Sequence, residues 1–510
     1  MKKRLVKNTG VFLRKLLLIS CLCATASCAP KVEPLVPVTP AWALGHIVWE
    51  DEFNTRDSLL GLVRQYREHD IPVDGVIIDS PWSTAYNDFI WDTQLYPEPQ
   101  EMLRQLDEQG IHALLWLTGM VNTVSNDCLV DKSANFDEAV AKGYTVNGGE
   151  VFEWWKGAGA HIDFTNPEAV QWWYGQLDNI MTDGVYGFKV DQGEVGIPEP
   201  VVTSAGEMTN KAFRPFYYDA MYDYVNSRKP GIGIILARPY SFQGDGDFSN
   251  KNKLSLGWCG DFDGTWQGLK DQLKNIYISA EHGYGAVGTE IGGYFGTPPG
   301  KDQLIRYSQF AAMTASMING GGHGPFENHL AWWHGEDAGK IYKDLVLLHH
   351  QLVPYIFSTL VEGHLNGGTL IRDVNIEQES HCFGPDIFTK AITDYDSHVS
   401  FTLPEGDDWL EWESGECLAG GSVVEKEYAL NEFPLYVRVG SAIPMDKGDH
   451  FDIQIVPGKN PIDVTIHLPD GDGTSYGDCR VRFNPSTGKA RGTGKTAKPC
   501  HVVIREPVTD

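Results

Sequence analysis

The sequence lacks the features that define several classes of protein. Beyond the first 24 residues it has no apolar run long enough to cross a bilayer. It has 41 Lys and Arg against 68 Asp and Glu, which gives a net charge of −27. This acidity argues against nucleic acid or an anionic membrane surface as a partner. We find no internal repeat of fixed period.

Cysteines are few, and they show no metal-ligand spacing. Three of the nine lie before residue 29, and the other six are Cys128, Cys259, Cys382, Cys417, Cys479 and Cys500. None of these forms a C-x-x-C motif, and no cluster of His, Asp and Glu has ligand spacing, so the sequence predicts no metal and no cofactor. A disulfide between Cys479 and Cys500 would need an oxidising compartment, and the spacing alone does not decide it.

What is present is a long chain with the composition of a soluble globular protein. It has 510 residues, of which 42% are hydrophobic and 21% are charged. This length exceeds one ordinary domain, so we expect a large domain and at least one smaller one.

The first residues have the pattern of a secretory signal. Residues 1–27 begin with six cations and no acids, and they continue with an apolar run over 16–24. The small residues Ala26 and Ser27 precede Cys28, as in a bacterial lipoprotein cleavage site. We therefore expect export across the inner membrane to the periplasm or cell envelope, with a lipid anchor at Cys28; simple cleavage into the periplasm is the alternative. Prolines make residues 28–45 a predicted stiff tether.

Eight strand-like segments then alternate with helical ones and predict a parallel (β/α)8 TIM barrel over residues 46–350. The segments are 46–49, 73–78, 111–117, 186–190, 233–237, 254–260, 286–289 and 317–319.

Asp79, Asp191, Arg238, Asp261 and Glu290 each directly follow one of these segments. The active site of such a barrel is built at the C-terminal ends of its strands. Structural charges would instead be scattered over helix faces, so the clustering predicts a functional site.

After residue 350 the pattern changes to short alternating runs separated by turn residues, at 386–391, 398–401, 435–438 and 463–467. They predict an antiparallel β-sandwich over 351–510. The Gly-, Ser- and Thr-rich stretch 485–498 predicts a mobile tail.

Several acids flanked by tryptophans at a barrel mouth suit a sugar substrate. Hydrolysis of a glycosidic bond needs two carboxylates, one as nucleophile or base and one as proton donor. Asp191 and Asp261 come from different strands and can face each other across a bond. Glu194 and Asp263 are the local competitors, but each lies further into a loop.

These residues resemble glycoside hydrolase family 31, which includes α-glucosidases, α-xylosidases and α-galactosidases. Phe188-Lys189-Val190-Asp191-Gln192-Gly193-Glu194 looks like its nucleophile motif, and Gly257-Trp258-Cys259-Gly260-Asp261 looks like its acid/base segment. Further matches lie at 76–82, 162–167, 352–356 and 433–444, so the resemblance covers roughly residues 46 to 450.

The resemblance implies a retaining mechanism, in which Asp191 attacks the anomeric carbon and Asp261 first protonates the leaving oxygen and then activates water. It implies that Lys189 keeps Asp191 ionised, with a structural pairing to Glu194 as the alternative. The predicted substrate-binding residues are Asp79, Trp116, Lys189, Arg238, Trp258 and His329. His323 is the alternative to His329, and each predicted tryptophan platform, Trp82 included, could equally belong to the barrel core.

Three departures from the family pattern affect these expectations. Only a short tether precedes His46, where the family usually has an N-terminal β-sandwich whose loops shape the substrate pocket. Glu290 stands where the family has an Asp, and Glu327 where an Arg is usual.

The sequence therefore predicts an exo-acting α-glycosidase acting on an oligosaccharide or glycoside. The alternatives are a non-catalytic carbohydrate-binding protein on the same scaffold and an α-transglycosylase. The sugar, the linkage and the oligomeric state are left open.

Overall fold

The structure is a computed structural model that describes residues 37–192, 196–241, 246–322 and 326–506, with the backbone alone at 326 and 327. Within these ranges, no helix combines the length and the apolar character that a membrane span needs.

Eight parallel strands form the first sheet, and each overlaps a predicted segment. The overlap is a single residue, Thr289, in β7, so Glu290 lies inside that strand and not after it. They are β1 (His46–Glu50), β2 (Gly75–Ile78), β3 (His112–Leu117), β4 (Val185–Val190), β5 (Ile234–Ala237), β6 (Leu256–Gly257), β7 (Thr289–Ile291) and β8 (Met317–Asn319). The strand order is β6-β5-β4-β3-β2-β1-β8-β7. A parallel bridge between Gly257 and Val287 joins the two end strands and closes the predicted barrel.

The register of the barrel brings the charged strand ends to one rim. Val190 of β4 pairs with Leu117 of β3 and with Ala237 of β5. Asp191 and Arg238 are the next residues of their strands, so they leave the sheet side by side.

Helices alternate with these strands, and their ends and faces explain their positions. They are α1 (Arg56–Glu68), α2 (Pro99–Asp107), α3 (Phe136–Ala141), α4 (Pro167–Leu177), α5 (Asn210–Arg228), α6 (Trp266–Glu281), α7 (Lys301–Ala311) and α8 (Glu336–Asn366). Thr55, Asn166, Thr209 and Thr265 cap α1, α4, α5 and α6 through their side-chain oxygens. In α1 the buried residues recur at helical spacing, which turns one face toward the strands: Leu59, Leu62, Val63 and Tyr66.

Short antiparallel strands extend the loops above the rim. Met120–Ser125, Gly157–His161 and Phe152–Trp154 form a three-stranded sheet in that order. Val201–Thr203 pairs with Gly206–Met208, and Tyr240–Ser241 pairs with Gly246–Asp247.

The opposite end of the barrel is closed by the segment that precedes β1. Ala41–Leu44 is a 3-10 helix with every residue buried. The Trp42 ring stacks on His112 at 4.5 Å between centroids, and the backbone oxygen of Leu44 lies 2.7 Å from His349 Nε2. The predicted tether over 28–45 therefore differs from the structure in its last residues, because Trp42 and Leu44 are apolar and pack into the core.

Helix α8 runs across the predicted domain boundary at residue 350. Its buried face carries apolar residues on both sides of that point, for example Leu345 and Leu352. The helix belongs to the barrel at its start and to the C-terminal sheets at its end, where it packs against Ser441–Asp446 and Ile462–Asp470.

The C-terminal region is built from short strands in separate sheets, as predicted. A six-stranded antiparallel sheet has the order β9 (Ile371–Asn375), β10 (Ser380–Phe383), β11 (Ile387–Lys390), β16 (Leu435–Arg438), β13 (Trp409–Glu411) and β14 (Cys417–Leu418). β12 (His398–Thr402) pairs with β15 (Val423–Glu427). Three-stranded sheets are formed by β17 (Ser441–Asp446), β18 (Phe451–Val456) and β22 (Cys500–Ile504), and by β19 (Ile462–Asp470), β20 (Ser475–Asn484) and β21 (Lys489–Gly494).

Two features of this region differ from the prediction. β18 and β22 pair in parallel, whereas the other pairs are antiparallel. The stretch predicted as a mobile tail contains strand β21, which pairs with β20 over six residues. Its alternating exposure, with Ala490 against the core, explains why a polar stretch forms an edge strand.

Candidate active site

A cavity of about 210 Å³ opens at the C-terminal rim of the barrel. Among the described residues it is lined by Asp79, Ser80, Trp116, Trp155, Lys156, Lys189, Asp191, Gln192, Arg238, Asp261 and Tyr294. Six of these are predicted site residues, namely Asp79, Trp116, Lys189, Asp191, Arg238 and Asp261. The cavity is smaller than the roughly 300–1,000 Å³ of pockets for drug-sized ligands, so it fits one sugar ring better than an oligosaccharide.

Asp191 is held by three neighbours directly after β4. Trp116 Nε1 donates to its Oδ2 at 3.1 Å, the Gln192 backbone N–H donates to its Oδ1 at 2.7 Å, and Arg238 Nη2 donates to the same oxygen at 3.1 Å. A carboxylate that accepts from three donors is fixed in direction and stabilised as the anion.

Arg238 joins Asp191 to Asp261. Its Nη2 lies 3.1 Å from Asp191 Oδ1 and 3.3 Å from Asp261 Oδ1. Because both Oδ1 atoms contact the same nitrogen, the two carboxyl groups lie side by side at the rim. The Asp261 side chain is 37% exposed and the Asp191 side chain 12%, so Asp261 is the more open of the two.

The surroundings shift the pKa values of Asp191 and Asp261 in opposite directions. Burial opposes the charge on Asp191, but Arg238 and Lys189 outweigh it, so its pKa is lowered. Burial and the charge of Asp191 raise the pKa of Asp261 despite Arg238. A pair whose pKa values are pushed apart supplies one anion and one proton donor near neutral pH.

Lys189 pairs with Asp79 rather than with Asp191. Its Nζ donates to Asp79 Oδ2 at 2.8 Å, and both side chains are 5% exposed. The ammonium also lies 3.6 Å from the centroid of the Trp49 ring. Burial works against the charge on Lys189, but Asp79, Glu290 and Asp191 together raise its pKa.

The predicted tryptophan platforms occupy different positions. Trp116 lines the cavity and bonds Asp191. Trp258 is 1% exposed and does not line the described cavity, because its ring packs beneath the Arg238 guanidinium at 4.7 Å from the centroid. This position fits the alternative in which Trp258 belongs to the barrel core. Trp82 is also buried, and its Nε1 donates to the Trp116 carbonyl at 2.7 Å.

The remaining predicted residues and their alternatives are not among the described residues that line the cavity. His329 is buried, with Nδ1 at 3.1 Å from the Ile291 carbonyl, and it is not among the described residues that line the cavity. His323 and Glu194 lie outside the described residues. Asp263 accepts from the Thr265 backbone N–H at 3.0 Å, which is a local turn contact at the start of α6.

Four residues that contribute to the mouth were missed by the sequence argument. Asp51 lies just past β1 and accepts from the Tyr294 hydroxyl at 2.6 Å. Burial and the charge of Asp79 raise the pKa of Asp51 to about 6. Trp155 and Lys156 connect the strands Phe152–Trp154 and Gly157–His161 and reach the cavity from above. Asp51 directly follows the observed β1 but lies two residues after the predicted segment 46–49, so the charged strand-end rule points to Glu50 in its place.

Comparison with known proteins identifies the family that has this architecture. A sequence model of the Glycosyl hydrolases family 31 TIM-barrel domain matches residues 36–359, and one of the Glycosyl hydrolase family 31 C-terminal domain matches 371–443. The chain belongs to glycoside hydrolase family 31. The boundary between the two matches falls at the end of α8, later than the predicted residue 350.

Individual relatives of this family 31 chain are distant. An α-xylosidase from Emericella nidulans is 24% identical over 85% of the chain and 56% of its own length. An α-glucosidase from Saccharolobus solfataricus is 23% identical over 81% of the chain and 64% of its own length. The chain thus spans less than two thirds of each.

Among solved structures, a Flavobacterium johnsoniae family 31 dextranase in complex with glucose has a TM-score of 0.77 at 20% identity. It covers 90% of this chain and 61% of its own. At this identity the likeness establishes the fold.

Proposed function

We propose that this family 31 chain is a retaining, exo-acting α-glycoside hydrolase that cleaves terminal α-linked sugars through a covalent glycosyl-aspartate. The proposal depends on one observation, which is that Arg238 holds Asp191 and Asp261 together while their pKa values are moved apart. Family membership supports the same reaction class.

Asp191 and Asp261 have different roles in the two displacement steps of the proposed reaction. In the first, the Asp191 carboxylate bonds to the anomeric carbon as the glycosidic C–O bond breaks, and Asp261 gives its proton to the leaving oxygen. In the second, Asp261 takes a proton from water, the water oxygen bonds to the anomeric carbon, and Asp191 leaves as the carboxylate. Arg238 steadies the charge on both acids, and it prevents them from separating.

Asp79 and Lys189 are proposed to bind sugar hydroxyls at the base of the cavity. Their buried ion pair offers both acceptor and donor groups at fixed positions. Trp116 and Trp155 supply aromatic surface on the wall. One ring-sized cavity suits a terminal sugar, and the named relatives, an α-xylosidase and an α-glucosidase, suggest the first sugars to test.

A screen of aryl α-glucoside, α-xyloside, α-galactoside and α-N-acetylgalactosaminide substrates tests the proposal. We expect turnover of at least one by the wild-type chain, with the α-anomer as first product, and none by Asp191→Ala. Binding without turnover would favour the non-catalytic sugar-binding alternative. Products extended by an added sugar acceptor, in place of free sugar, would favour the transglycosylase.

We further propose that the chain is exported and carries a lipid anchor at Cys28, supported by the cationic, apolar and small-residue pattern of residues 1–28. These residues lie outside the described part of the chain. Labelled palmitate should enter the wild-type chain and not Cys28→Ala; equal labelling of both would contradict the anchor.

A further inference from the structure

Two histidines and an aspartate meet at the start of strands β18 and β22, in the C-terminal region. Asp452 and His501 are register partners on these parallel strands, so their side chains lie on the same face of the sheet. His450 precedes β18, and the turn that ends with the Lys447 N–H bonded to the His450 carbonyl at 2.9 Å fixes its backbone.

The ligand atoms of these three residues lie within 4.8 Å of one another. His450 Nε2 and Asp452 Oδ1 are 3.2 Å apart. Two ligands bound tetrahedrally to zinc at about 2.0–2.1 Å are about 3.3 Å apart, so this pair already has the separation of a zinc-bound pair. The His450 and His501 rings are 4.4 Å apart between centroids, and His501 is exposed.

A neighbouring carboxylate orients the first of these ligands. His450 Nδ1 lies 2.6 Å from Asp449 Oδ1, so an Nδ1–H would donate to this carboxylate and leave Nε2, which is 3.2 Å from Asp452 Oδ1, to bind a metal ion. Metal-binding histidines commonly donate their other N–H to a carboxylate in this way. An ordinary surface ion pair does not require a second histidine on the adjacent strand.

We propose that His450, Asp452 and His501 bind one divalent transition-metal ion of the zinc class, with Asp449 orienting His450. Two imidazoles and a carboxylate suit zinc or cobalt, and the three-ligand set leaves a position for water. The ion joins the last described strand, β22, to β18 and so stabilises the C-terminal end of the chain. The proposed metal site lies in the C-terminal sheets, and it takes no part in the glycosidase mechanism proposed above. The sequence could not reveal it, because its ligands are brought together only by the pairing of strands 50 residues apart in the chain.

Metal titration of the full chain, stripped with a chelator, tests the site. We expect isothermal titration calorimetry with Zn²⁺ to give one ion per chain, and Co²⁺ to give the visible absorption of a nitrogen- and oxygen-bound ion. The affinity should weaken in acid, because protonated imidazole does not bind metal. Added Zn²⁺ should raise the melting temperature.

Three variants and a control locate the ion. His501→Ala, His450→Ala and Asp452→Asn should each weaken Zn²⁺ binding at least tenfold and abolish the rise in melting temperature. His398→Ala removes another exposed histidine of the same region and should leave both unchanged. Glycosidase activity of the variants should equal that of the wild-type chain, which separates this test from the proposed function.

The proposal is overturned if the wild-type chain binds less than one ion at tens of micromolar Zn²⁺, or if the three variants bind as the wild type does. It is also overturned if Co²⁺ gives a thiolate charge-transfer band, because the ion would then lie at cysteines such as Cys479 and Cys500.

Discussion

The two ends of the barrel treat buried polar groups in opposite ways. At the N-terminal end, Asp74 accepts from the His46 backbone N–H at 2.7 Å and pairs with His350 Nε2 at 2.6 Å. At the C-terminal rim the acids outnumber the cations among the described residues, since Asp51, Asp79, Asp191, Asp261 and Glu290 lie near Lys156, Lys189 and Arg238.

The pKa values of the buried groups therefore differ between the two ends of the barrel. At the N-terminal end, burial lowers the pKa of His46 to about 4, so the ring is neutral and its two nitrogens are satisfied as donor and acceptor. At the rim, burial raises the pKa of Glu290 well above its usual range, and among described atoms its Oε2 has no hydrogen-bond partner. One end is arranged for stability, and the other keeps charges in a costly arrangement that suits catalysis.

Removing either central acid should have the largest effect on activity and a small one on stability. We expect Asp191→Ala to lower kcat by about 10⁴-fold or more, because the covalent step is lost. Asp261→Ala should lower it by about 10²–10⁴-fold with leaving groups that need protonation. Steady-state kinetics and thermal melting measure both.

Azide is the control for the first variant. It should restore activity to Asp191→Ala and give a β-glycosyl azide, because the small anion attacks from the vacated side. Full activity in either alanine variant would remove the assignment of both acids.

Lys189→Met should damage both activity and stability, since it leaves Asp79 buried without its partner. Breaking such a pair costs about 3–5 kcal/mol. Denaturant unfolding and kcat/KM measure the two effects. Lys156→Met is the matched control, because Lys156 lines the same cavity but forms no buried ion pair with another described residue. A Lys189 variant as stable as the control would contradict the comparison.

Tyr342→Phe tests the opposite end. The Tyr342 hydroxyl donates to His46 Nε2 and accepts from Asn319 Nδ2, each at 2.7 Å. Its removal leaves buried polar atoms without partners and should cost about 1–3 kcal/mol of unfolding free energy, with kcat/KM unchanged. A large loss of activity without loss of stability would show that the two ends are not separate in function.

The pH dependence of kcat/KM should show the smallest but most specific effect. Asp191 must be ionised and its pKa is lowered, so the acid limb should lie below the usual range of an aspartate. Asp261 must be protonated and its pKa is raised, so the alkaline limb should lie above that range. In Asp261→Ala the alkaline limb should disappear with activated substrates. An alkaline limb that persists there would assign the proton donor to another group.

The sequence predicted the site residues best where the position of a residue along a strand decides where it lies in the barrel. A residue that directly follows a barrel strand must lie at the rim, so Asp79, Asp191 and Arg238 could be placed without coordinates. Asp261 also reaches the rim, although β6 ends four residues before it. The direction in which a side-chain ring points could not be predicted in this way. The Trp258 ring packs beneath Arg238 and does not line the described cavity. Trp155 and Lys156 were missed because their loop is positioned by long-range packing. The parallel pairing of β18 with β22 is likewise a tertiary feature that local patterns do not carry.

Trapping the covalent intermediate tests the central claim most directly. The chain would be treated with an activated 5-fluoro glycosyl fluoride of the sugar found in the aryl glycoside screen, digested and examined by mass spectrometry. The account predicts one added glycosyl group, on the peptide that contains Asp191. A label on Asp261 or elsewhere, or turnover of this reagent without any labelled peptide, would contradict it.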